Sequence, residues 1–124
     1  MRVRNYSQVR AEPVIEEPGV SVRWLVSDLE APPQFALRLY EIAPGAETRA
    51  HVHYWEHQAF VLSGQGVLVG DGIESPIEEE DIAYVDPDAC HKFVNRGDEP
   101  MRFLMVLPLP QGVEMPCAEA AHVS

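Results

Sequence analysis

Turn-forming residues set the tightest limit on what this chain can become. Eleven prolines and eight glycines punctuate its 124 residues from end to end, above the usual combined share of about 12%. Proline lacks the amide donor that a helix interior needs, and glycine weakens a helix. No window between them carries a convincing amphipathic helix. What remains is a series of short apolar segments parted by turns, the pattern of a β-sandwich or small barrel.

The strands can be read in order. Val20–Val26 is β-branched and aromatic, while the consecutive prolines Pro32 and Pro33 break the chain that follows. Phe35–Ile42 alternates, with Ala36, Arg38, Tyr40 and Ile42 on one face and Phe35, Leu37 and Leu39 on the other. Further short strands follow at His57–Leu62, Val67–Val69, Ile82–Val85, His91–Val94 and Arg102–Leu107. Asp71-Gly72 predicts a tight hairpin, because a primed turn needs positive φ at its centre. The run 78–81 reads as a solvated acidic loop.

Composition narrows the function. An apolar share of 46% supports a packed core. A formal charge of −11 repels polyphosphate and anionic lipid, so neither nucleic acid nor a membrane surface is an expected partner. Phe103–Leu107 falls far short of the ~20 residues that span a bilayer. The N-terminus lacks the apolar segment of a secretory signal. Two cysteines, Cys90 and Cys117, could in principle pair but are too few for a disulfide scaffold. The expectation is a soluble cytoplasmic protein with reduced thiols, Cys90 being a small packed residue.

Five histidines are present, and four of them form a pattern. His51 and His53 project from one face of an extended segment. His57 follows closely enough to return to the same spot, and His91 opens a later strand. Neutral imidazoles are common ligands for first-row transition metals. His122 reads as plain surface.

Gly45, His51-x-His53 and Gly64 resemble the first signature of the cupin family, and the stretch from Glu80 to Asn95, with His91 and Asn95, resembles the second. The resemblance covers roughly 20–108. It implies an all-β cupin double-stranded β-helix, a jelly-roll barrel with a metal inside its mouth. An N-terminal arm would occupy 1–19, the cupin domain 20–110 and a loose tail 111–124. The family's usual glutamate falls on His57 or Gln58 here. Counting back from Gly64 selects His57, and Glu56 is one place early, facing away. The resemblance therefore implies metal ligands His51, His53, His57 and His91, with Gln58 as the alternative to His57. Glu80 and Asp88 stand where the second signature carries glycine, and Asp86 where it carries proline.

Ligand type alone does not choose among Mn, Fe, Co, Ni, Cu and Zn. Imidazoles leave the charge of a divalent ion unneutralised, so the expected partner is a small anionic molecule. Arg38 is either an edge or surface arginine or a pocket cation that clamps a carboxylate. Phe60, Phe93, Phe103 and Met105 are barrel core or cavity lining. Tyr40 and Tyr54 are hydrogen-bond donors or acid–base groups beside structural readings, and no catalytic acid or base is identified. Asn95 makes turn or backbone hydrogen bonds.

The leading expectation is a metal-dependent oxidoreductase, dioxygenase-like, acting on a small organic acid or enol. The alternatives are a non-redox isomerase, lyase or decarboxylase, and a metal- and ligand-binding sensor or store. Val20–Val26 resembles the arm that small cupins add to a partner's sheet, which implies a homodimer.

Overall fold

A computed structural model describes residues 1–26, 33–109, 112 and 114–117. Residues 28–32 of the expected proline break, and surface His122, lie outside the described residues. The fold is all-β, built from two antiparallel sheets as a jelly-roll barrel.

The strands are β1 (Glu12–Pro13), β2 (Val20–Val26), β3 (Phe35–Ile42), β4 (His51–Val52), β5 (His57–Ser63), β6 (Gln65–Gly70), β7 (Ile73–Glu78), β8 (Ile82–Val85), β9 (His91–Val94), β10 (Met101–Pro108) and β11 (Met115–Pro116). The larger sheet runs β1-β2-β3-β10-β5-β8, the smaller β11-β4-β9-β6-β7. Ile42, Val61, Met101 and Phe103 from the first meet Ile77 and Phe93 from the second in one core. In β3, Ala36, Arg38 and Ile42 are buried beside half-buried Tyr40, as alternation predicts, but Leu39 on the opposite face is buried as well.

Turn chemistry fixes the register. Asp71 and Gly72 adopt φ of 50° and 81° and join β6 to β7, whose terminal residues Gly70 and Ile73 pair directly. Glu80 and Asp88 also hold left-handed φ, 73° and 65°. The backbone thus takes the conformation glycine favours despite the side chains, at a steric cost of about 1–2 kcal/mol each. At Asp88 the geometry serves the site, because its amide donates to the His53 carbonyl at 2.7 Å.

The N-terminal strand β2 pairs along its length with β3 of its own chain, and β1 forms the sheet edge beyond it. Two sequence expectations are corrected. Part of the tail is paired rather than loose: Met115 and Pro116 pair with Val52 and His51. The cysteines are not free: Cys90 and Cys117 form a disulfide with Cα atoms 6.1 Å apart, a normal span for that bond. Pairing of β11 with β4, itself beside β9, brings Cys117 next to Cys90 across 27 residues of sequence. The cytoplasmic expectation loses the support it took from reduced thiols.

Asn95 ties the turns together. Its amide donates to the carbonyls of Ile42 and Glu99 at 2.9 and 2.8 Å, and its oxygen accepts from the Gly97 amide at 2.8 Å. The side chain is 1% exposed, so truncation leaves buried groups without partners. Asn95→Ala should cost about 2–4 kcal/mol. Urea unfolding should show this as a lower midpoint with an unchanged slope.

Candidate metal centre

Three imidazoles converge at one end of the barrel. His57 opens β5, His91 opens β9, and His53 leads from β4 into the loop between β4 and β5. The His53 ring centroid lies 4.2 Å from that of His57 and 5.0 Å from that of His91, and the last two are 5.4 Å apart. One ring nitrogen from each residue lies within 4.8 Å of the other two. All three side chains are buried.

The backbone selects the tautomers. A carbonyl can only accept, so His53 Nδ1 must donate to Trp55 O at 2.7 Å and His91 Nδ1 to Ala89 O at 2.9 Å. Each Nε2 is left with its lone pair, the arrangement by which outer partners orient metal-bound histidine. Trp55 stacks on the His53 ring at 4.3 Å and holds its plane. His53 Nε2 and both ring nitrogens of His57 are buried without a hydrogen-bond partner. Burial without partners costs about 1–3 kcal/mol per group, a cost that coordination of an ion would offset. The donor set therefore suits a divalent transition ion.

Electrostatics agree. Burial drives the His57 pKa down to about 2, helped by the neighbouring His53, His91 and Arg38. Burial also lowers His53 and His91, against the raising effect of their backbone hydrogen bonds and of Glu114. All three rings are neutral at pH 7, as metal ligation requires.

His51 stands apart from this triad. Its backbone pairs with that of His91, and its half-buried side chain lines the same cavity as His57 and His91. Gln58 points to the exposed face of β5 and donates to Glu56, which also accepts from the Tyr84 hydroxyl.

The cavity beside the histidines measures about 80 Å³. Tyr40, Phe93, Phe103 and Met105 form its wall. Tyr40 stacks on Phe103 at 5.3 Å and Phe103 on Phe93 at 4.5 Å. Phe60 does not join them; it is 41% exposed, because alternation along β5 turns it outward. Tyr54 is likewise exposed. A larger cavity of about 290 Å³, bordered by Gln65, Pro76 and Arg96, has no histidine in its lining.

Arg38 is neither an edge nor a surface residue. It is 4% exposed, its guanidinium lies 4.9 Å from the Trp24 ring and 5.0 Å from the Tyr40 ring, and Met105 Sδ accepts from it at 3.4 Å. Aromatic faces make a buried cation tolerable, yet its Nε remains unpartnered. Burial raises the Tyr40 pKa, with Arg38 opposing. The Tyr40 hydroxyl stays protonated at neutral pH and is available as a donor.

Two acidic residues escaped the sequence reading. Glu17 is buried, lines the cavity and accepts from the Arg49 amide at 2.9 Å. Glu114 also lines it, with Oε1 4.0 Å from His53 Nε2. Neither carries a local sequence signal, since both reach the site through tertiary contacts of the chain ends.

Comparison with known proteins is consistent with this architecture. The chain is 30% identical over 70 residues to an oxalate-binding protein of Thermotoga maritima, covering 56% of this chain and 58% of that protein. It is 34% identical over 85 residues to a dimethylsulfoniopropionate lyase of Ruegeria pomeroyi, covering 66% and 55%. The chain thus spans little more than half the length of these two relatives. Among solved structures, the polyketide cyclase RemF from Streptomyces resistomycificus superposes with a TM-score of 0.89 at 25% identity, covering 99% of this chain and 89% of that one. No helix among the described residues is long and apolar enough to cross a membrane. The cupin domain family matches residues 38–107, more than half of the sequence, and the chain belongs to that family.

Proposed function

We propose that this protein is a metal-dependent enzyme that performs non-redox chemistry on a small, oxygen-rich organic anion or enolisable carbonyl compound. The observation that carries the reading is the convergence of three buried imidazoles, two of which, His53 and His91, have Nδ1 committed to a backbone carbonyl. His53, His57 and His91, joined by His51 from the cavity rim, would hold the ion. A divalent metal held there would supply Lewis acidity.

The surrounding residues do the rest. Arg38 contributes a fixed positive charge behind the Tyr40 and Met105 wall. Tyr40 offers a protonated hydroxyl to an anionic oxygen. Phe93 and Phe103 give the space an apolar wall, which lowers the local dielectric and strengthens both interactions. A cavity of about 80 Å³ suits a molecule of oxalate size, or the reacting end of a longer one. The similar proteins named as a lyase and as a polyketide cyclase support this class over a dioxygenase.

The test is hydrogen–deuterium exchange at acidic C–H positions of dicarboxylic and β-keto acids in D₂O. Metal-stripped protein is reloaded separately with Zn, Mn, Fe, Co, Ni or Cu, and O₂ uptake is followed in parallel. Zinc-loaded protein should catalyse exchange without consuming O₂. Turnover confined to redox-active metals with stoichiometric O₂ uptake would instead establish the dioxygenase. Metal and ligand binding without exchange or turnover would establish the sensor or store.

A further inference from the structure

The C-terminal strap is attached to the site by three independent devices. Met115 and Pro116 pair with Val52 and His51, and the Cys117 amide donates to Ala50 O at 3.2 Å. The disulfide from Cys117 to Cys90 anchors its far end one residue before His91. At its near end, Gly112 lies so close to the Tyr54 and Trp55 rings that any side chain there would collide with them. The strap is therefore seated against the loop that carries His53.

One further step along the β11–β4 register sets Glu114 against His53. The side chains meet there at 4.0 Å, that of Glu114 being 28% exposed and that of His53 1%. His53 Nε2 has its lone pair free and no hydrogen-bond partner. The convergent ring nitrogens themselves include no anionic donor, so a divalent ion among them keeps its full charge. Glu17, the other carboxylate at the cavity, is already engaged by the Arg49 amide.

We propose that Glu114 is the anionic member of the histidine metal site, delivered by a strap that the Cys90–Cys117 disulfide holds in place. The inference rests on the metal reading above and deepens it. Glu114 lowers the net charge of the loaded site and strengthens ion retention, and the disulfide acts only by positioning it. An incoming organic anion then competes with Glu114 for the same field, so the strap also tunes how tightly such anions bind.

The experiment is Co²⁺ titration of metal-stripped protein, read by visible absorption and by competition with a chelator. The variants are Glu114→Gln, the pair Cys90→Ser/Cys117→Ser, and all three together; serine at both cysteines removes any sulfur donor. Wild type should bind one equivalent. Glu114→Gln should bind about tenfold more weakly and show a shifted absorption band with unchanged circular dichroism. The double-serine protein should fall between the two, and adding Glu114→Gln to it should cost less than in wild type, because both changes remove one interaction. Equal affinity and spectra for wild type and Glu114→Gln would overturn the inference alone. So would weakening by the serine pair that Glu114→Gln does not reproduce. Wild-type protein that takes up no Co²⁺ would overturn the metal reading and this inference with it.

Discussion

His57→Ala is expected to lose roughly 100-fold or more in metal affinity, whereas Gln58→Ala should retain metal at wild-type stoichiometry. The two residues are neighbours in sequence and point to opposite faces of β5: His57 is buried against His53 and His91, and Gln58 is exposed. Elemental analysis after dialysis against a weak chelator gives the answer directly. Unfolding of the metal-stripped proteins supplies the control. Removing the imidazole opens a cavity but also removes two buried, unpartnered nitrogens, so the two costs largely offset. The stripped variant should melt within a few degrees of stripped wild type, which assigns the lost affinity to the ligand itself. Metal loss with Gln58→Ala and retention with His57→Ala would reverse the assignment.

That contrast shows how much strand alternation alone reveals. Alternation in Phe35–Ile42 puts Arg38 on the face of Ala36 and Ile42, and the fold buries all three. The tolerance of burial was the hidden part, because it depends on the Trp24 ring, contributed by β2. β7 was signalled only by its hairpin turn; five of its six residues are exposed, so no apolar alternation marks it. β1, β4 and β11 are two residues each, too short for any pattern. The histidines were legible because Gly45, Gly64 and Asn95 frame them at family spacing. Glu17, Glu114 and the Cys90–Cys117 bond were not. Each depends on a chain end folding back onto the barrel, and nothing local to the sequence records that contact.

Acid should destabilise the metal-free protein well before its carboxylates titrate. In the unfolded chain a histidine takes up its proton near pH 6.5. In the folded protein burial holds His57 down to about 2 and lowers His53 and His91 as well. Below pH 6.5 the unfolded state therefore binds protons that the native state refuses, and stability falls as pH falls. The contribution is complete above pH 6.5 and is lost progressively towards the folded pKa values. Each histidine that stays neutral costs about 1.4 kcal/mol per pH unit in that window, a few degrees in Tm for a domain of this size. Melting curves between pH 6.5 and 5 isolate the effect, since most carboxylates remain ionised there. His57→Ala should reduce the slope by about one proton. Bound metal should raise Tm throughout and steepen its decline, because the ion and protons compete for the same lone pairs. A flat stripped-protein profile across this interval would mean that the imidazoles are hydrated in the metal-free state.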